Sequence, residues 1–92
     1  MRIEFDADKD ATNIGKHGLS LARAVDLEIQ AVVDDDRHDY GERRFRAFGL
    51  IDGSAHCLVY AVREGHIRAI SLRRAHAKEV RRYVTQSRSD HR

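Results

Sequence analysis

The sequence predicts an α+β fold: an N-terminal strand and two helices, then an antiparallel meander of three to four strands, then a C-terminal helix. Three observations predict it. Apolar residues recur at helical spacing near both ends of the chain, whereas residues 43–73 alternate at strand spacing. Two dipeptides, Asp52-Gly53 and Glu64-Gly65, punctuate that strand region as hairpin turns, the first being the stronger signal. Ninety-two residues without a proline or an internal repeat fit one domain and leave no linker.

Each element has a local reason. Residues 2–5 alternate polar and apolar, as a short strand does. Asp6 or Asp8 then caps a helix with Ala11 and Ile14 inward and Gly18 as its C-cap. Ser20 caps a second helix, with Leu21, Ala24, Val25 and Ile29 on one stripe, which fades near Gln30. Ala31, Val32 and Val33 read as a short buried strand, and residues 34–41 as a polar connection. Strand-like runs occupy 43–51, 56–63 and 66–73. A helix over 74–84 follows, with Ala77, Val80 and Val84 as its apolar stripe. The domain is expected to span 1–85, and 86–92 to form a polar, fraying tail.

Composition narrows the function classes. With 41% hydrophobic and 35% charged residues the chain reads as a globular protein, not a disordered one. It holds no apolar run near the roughly 20 residues of a membrane span. Its start turns acidic at once, unlike a signal peptide. Cys57 is a lone cysteine in an apolar run, expected as a buried small hydrophobe in a reducing cytoplasm. The net charge of +2 conceals a polarised molecule. From residue 63 onward there are nine Lys and Arg against three Asp and Glu; the first 62 residues hold eight against twelve. That asymmetry points to an anionic partner for the C-terminal part.

Four constellations could carry chemistry. Lys9, Asn13, Lys16 and His17 share one face of the first helix. They form either a cationic wall with an imidazole suited to a ribose-phosphate, or an ordinary solvated face. On the strand 66–73, strict alternation separates Arg68 from Ser71 and Arg73, so the two arginines share a face only if a bulge or the strand end redirects one. Each is either a guanidinium clamping phosphate or a structural charge paired with a carboxylate such as Glu42 or Glu79. Arg74, Lys78, Arg81 and Arg82 would make a basic ridge on the last helix, with Tyr83 as core residue or base platform. Asp34, Asp35, Asp36, His38 and Asp39 lack the glycine and glutamate of a calcium loop, so no metal or other cofactor is expected.

Taken together, these residues resemble the BrnT-type toxins of bacterial type II toxin–antitoxin systems. Phe5-Asp6, Lys9, Asn13, Lys16-His17-Gly18 and Ser20 resemble the family's N-terminal signature. Glu42-Arg43, Gly49, Arg63, Arg68, Ile70-Ser71, Arg73, Ala75, Glu79 and Tyr83 continue the likeness. Phe5, Ala7 and Val80 depart from it, standing where the family usually has Trp, often Pro and commonly Arg. The resemblance implies a RelE-like fold and a metal-independent ribonuclease that halts translation. It also implies a BrnA-like antitoxin that reaches operator DNA, in a hetero-oligomer. On that reading His17, Lys16, Arg68, Ser71 and Arg73 are the catalytic candidates. Lys9, Arg74, Lys78, Arg81, Arg82 and Tyr83 are the RNA-binding ones. A rival reading is a non-catalytic basic module that binds the antitoxin and contributes to repression.

Overall fold

A computed structural model describes residues 2–89. Five strands form one mixed sheet: β1 (Ile3–Glu4), β2 (Glu28–Asp34), β3 (Arg44–Ile51), β4 (Ser54–Arg63) and β5 (His66–Arg74). Their spatial order is β1-β5-β4-β3-β2, with β1 parallel to β5 and every other pair antiparallel. The expected meander therefore has four strands, and the first strand closes its far edge. Both hairpins turn where the sequence marks them. Asp52 and Gly53 have φ of 50° and 78°, and Glu64 and Gly65 have 52° and 77°. Positive φ at both central residues is the twist-matched two-residue turn, and glycine takes the second position without a Cβ clash.

The second helix departs from expectation. It is a single 3₁₀ segment, Leu21–Asp26, followed by β2. Leu21 and Ala24 are buried, whereas Val25 is 67% and Ile29 50% exposed. A 3₁₀ turn eclipses residues three apart, which suits Leu21 over Ala24 but leaves Val25 outward. Ile29, Val32 and Val33 are β-branched and follow their strand preference instead. Ala31 is buried on β2, as anticipated for that run, and Val32 is 40% exposed.

Each face of the sheet carries its own core. One gathers Leu21, Ala24, Ala47, Ile51, Leu58, Tyr60, Ile67, Ala69 and Leu72. The other is the seat of α2 (Ala77–Ser89), where Val80 packs with Phe48 and Cys57, and Tyr83 and Val84 lean on them. The Phe48 and Tyr83 rings stack at 4.3 Å. Cys57 is the buried hydrophobe anticipated, its thiol pushed up by burial. The last helix begins at Ala77 because Glu79 reaches back to the His76 N–H (3.1 Å), half of a capping box. Arg74 is instead the last residue of β5, opposite His56, so it leaves the basic ridge to Lys78, Arg81 and Arg82. Ala77, expected in the apolar stripe, is exposed. The helix runs on through Gln86 to Ser89, and the rest of the expected tail lies outside the described residues. Among the described residues no helix is long and apolar enough to cross a membrane.

Candidate active site

The helix α1 (Ala7–His17) is capped as the sequence foretells. The Asp6 side chain accepts from the Asp8 N–H (2.8 Å), and Gly18, at φ 69°, donates to the Ile14 carbonyl. Its docking is different from the expected one. Ala11 is exposed and Ile14 is 48% exposed; the buried residue is Asn13. The reason lies at the sheet edge. β1 pairs only with Ile67 and Arg68, so further along β5 the outer edge has no strand beside it. Asn13 supplies the missing bonds. Its Nδ2 donates to the Leu72 carbonyl (2.8 Å), and its Oδ1 accepts from the Leu72 N–H (3.0 Å). Nδ2 also donates to the Leu19 carbonyl (2.8 Å). A primary amide presents donor and acceptor side by side, as a strand backbone does, and buried backbone groups need such partners.

That attachment turns the stripe of Lys9, Asn13, Lys16 and His17 toward β5. Together with Asp8, Thr12, Ile70 and Ser71 these residues line a groove of about 360 Å³. Lys9 and Lys16 form no ion pair among the described residues, and together they outweigh Asp8, the one carboxylate in the lining. Lys16 and His17 thus meet Ser71 from the opposite end of the chain. The role of Asn13 was not legible in the sequence; an asparagine inside a lysine stripe is its one visible trace.

A bulge decides where the arginines go. Tyr60 pairs with Ala69 but Val59 pairs with Ser71, which leaves Ile70 as the extra residue of β5. Ala69 and Leu72 consequently share one core face. Arg68, Ser71 and Arg73, opposite Ala61, Val59 and Cys57, fall together on the other. Neither arginine lines the groove itself. Arg68 Nη2 lies 3.9 Å from Asp6 Oδ2, a long pair at the N-terminal end of α1. Arg73 is held closely by Glu79, through Nη2 to Oε1 (3.0 Å) and Nη1 to Oε2 (3.3 Å). These bonds hold the Glu79 carboxyl below, and the Arg73 guanidinium above, its ordinary value. Of the two carboxylates weighed from sequence, Glu79 thus takes Arg73, and Glu42 binds Arg63 and Arg44 instead.

The remaining candidates sort by contact. Tyr83 is a core ring: Phe48 stacks on it, and the Arg46 and Arg82 guanidiniums lie 5.2 and 5.6 Å from its centroid. Lys78, Arg81 and Arg82 are exposed on α2. In the acidic connection, Asp35 is buried and bonded to Arg37 (2.6 and 2.9 Å) and to the Tyr40 hydroxyl (3.3 Å). Its carboxyl is held down to about 2, chiefly by the Arg37 hydrogen bonds. Asp34 pairs with Arg43. Among the described residues no three His, Cys, Asp or Glu side chains are arranged to hold a metal ion.

Fold and groove together define a small α+β protein that offers a cationic cleft between a helix and a sheet edge. Residues 5–79 match the profile of the ribonuclease toxin BrnT of type II toxin–antitoxin systems, and the chain belongs to that family. Membership implies an antitoxin as partner. No curated protein and no solved structure matches the chain.

Proposed function

We propose that this chain is a metal-independent endoribonuclease of RelE-like architecture, which acts in the cytoplasm and arrests translation until a BrnA-like antitoxin binds it. Operator DNA is reached only through that antitoxin, in a hetero-oligomer. One observation carries the catalytic part: Lys16, His17 and Ser71 line a single cationic groove in a chain of a ribonuclease toxin family.

Cleavage of RNA without an external nucleophile needs three things. A base takes the ribose 2′-hydroxyl proton, and the oxygen attacks phosphorus. Cations steady the charge on the pentavalent phosphate. An acid then protonates the departing 5′ oxygen. His17 serves as acid or base, since it is the one imidazole in the groove lining and an imidazole can both take and give a proton. Lys16 and Lys9 hold the phosphate from the helix side. Ser71 orients a reacting group from the strand side. Arg68, whose one ion pair among the described residues is the long one to Asp6, can turn its guanidinium to the phosphate. Arg73 is the second charge stabiliser, and it serves when a bound phosphate draws its guanidinium from the Glu79 carboxylate.

The test is RNA cleavage by purified protein in EDTA. His17→Ala should lower the rate by roughly 10²- to 10⁴-fold, the range for a lost acid–base group. Arg73→Ala should lower it by about 10²-fold, as loss of one charge-stabilising donor does. Unchanged cleavage in both variants would overturn the assignment. Growth arrest on expression, relieved by the neighbouring antitoxin, tests the cellular part.

A further inference from the structure

We propose that a second cleft, between the 3₁₀ segment and the β3–β4 hairpin, is a ribose-phosphate site: Arg74 holds the phosphate and His56 Nε2 meets a ribose hydroxyl. The cleft encloses about 280 Å³ and is lined by Leu19, Arg23, Asp52, Ser54, His56 and Arg74 among others. His56 is only 4% exposed, yet it stands in this lining. Its Nδ1 lies 2.7 Å from the Ser54 carbonyl. A carbonyl can only accept, so Nδ1 carries the proton and a neutral ring leaves Nε2 as a lone pair. Nε2 has no hydrogen-bond partner among the described residues. A buried imidazole anchored on one nitrogen and open on the other is a fixed acceptor for a hydroxyl.

The cation beside it is equally uncommitted. Arg74 is the register partner of His56 across β4 and β5, and among the described residues it meets no carboxylate. Arg23 differs, since Asp26 (3.0 Å) and Asp52 (2.8 Å) balance its charge and fix its direction. It adds N–H donors rather than net charge. One free guanidinium, one oriented guanidinium and one imidazole acceptor match the donors and acceptors of a ribonucleotide. An inorganic anion would satisfy the arginines alone.

Placement gives the cleft its role. Leu19, in its lining, accepts from Asn13, which lines the first groove. Leu72, which takes the other two Asn13 bonds, lies two residues before Arg74. The cleft therefore opens beside the His17 end of the groove, where an RNA strand leaving it would pass. This extended-strand role rests on the ribonuclease reading; the ribonucleotide site itself does not.

Titration of the full chain with a ribonucleoside 3′-monophosphate, its 2′-deoxy counterpart and inorganic phosphate, read on the histidine ring NMR signals, tests the site. The ribonucleotide should move the His56 signal and bind more tightly than the deoxynucleotide. Arg74→Gln should weaken ribonucleotide binding on the order of tenfold, as loss of a charged hydrogen bond does. His56→Asn keeps a donor for the Ser54 carbonyl and removes Nε2, so it should bind both nucleotides equally. A ribonucleotide that moves His17 and leaves His56 still, or that binds Arg74→Gln as tightly as the parent, would overturn the proposal. Failure of RNA cleavage would defeat the ribonuclease reading and leave this titration standing.

Discussion

Whereas α2 buries Val80 and rests Tyr83 and Val84 on Phe48 and Cys57, α1 buries no apolar side chain and is held to β5 by the amide of Asn13. Apolar attachment spreads over many atoms and covers the surface it uses. Attachment through one amide leaves the neighbouring residues of the same stripe uncovered. Lys9, Lys16 and His17 can therefore face a groove, which an apolar stripe in their place would have closed. The helix with the candidate chemistry is held by polar side chains alone: Asn13 ties it to β5, and Asp10 accepts from the Leu21 N–H (2.7 Å) and the Ser20 hydroxyl (3.0 Å).

The sharpest way to break this contrast is to remove one anchor from each helix. Phe48→Ala empties a fully buried site under Tyr83 and should cost about 3–5 kcal/mol in urea unfolding. Cleavage per folded molecule should hold. Asn13→Ala leaves the Leu72 N–H and carbonyl without partners at a buried edge and should cost about 2–4 kcal/mol. Here cleavage should fall beyond the loss of folded protein, because the groove loses its wall. Hydrogen exchange separates the two: the Leu72 amide and α1 should exchange faster in Asn13→Ala while α2 stays protected. Uniform acceleration across both helices would show that the domain opens as one unit and that the amide tether has no local role.

Which of these features could be read in advance follows from the range of the interactions. The hairpins at Asp52-Gly53 and Glu64-Gly65 were legible because a two-residue turn is set by its own dihedrals. The α1 caps were legible for the same reason. The inner face of α1 was not, since it depends on where β1 stops pairing with β5, a contact spanning more than sixty residues. Ala11 and Ile14 satisfied the periodicity rule, but one amide with three hydrogen bonds, two of them buried, outweighed them. The joint placement of Arg68, Ser71 and Arg73 depended likewise on the bulge at Ile70, which alternation cannot reveal. Periodicity also favoured a second helix that β-branched residues and the edge of β3 converted into β2.

The acidic connection offers a smaller effect with a sign fixed by chemistry. Asp35 titrates at about 2 against an ordinary 3.8, with its side chain fully buried against Arg37. A carboxyl depressed in the folded state contributes stability above its unfolded value, and loses it as pH falls toward the folded one. That contribution, about 2 kcal/mol, should be complete at pH 5 and vanish between about pH 4 and 2. In acid unfolding the stability gap between the parent and Asp35→Asn should close over that window. Glu79, lowered by Arg73, adds in the same direction and ties α2 to β5. A gap that stays constant down to pH 2 would mean that the Arg37 contact lends Asp35 no stability.

The smallest effect is expected from the cations of α2, and it tests how far the contrast between the helices reaches. Lys78, Arg81 and Arg82 face solvent on a helix whose inner side is committed to packing. Lys9 and Lys16 line a groove. An exposed cation can contact a passing phosphate but does not fix it, whereas a groove confines the phosphate between two elements. Each phosphate contact on single-stranded RNA adds about 0.7 to the slope of log affinity against log salt. Lys9→Gln with Lys16→Gln should reduce that slope by about 1.4, and Lys78→Gln with Arg81→Gln by less than half as much. Equal reductions would mean that RNA crosses α2 as closely as it enters the groove. In that case the packed helix would also be a binding surface, and its apolar attachment would be the support of that surface rather than an alternative to it.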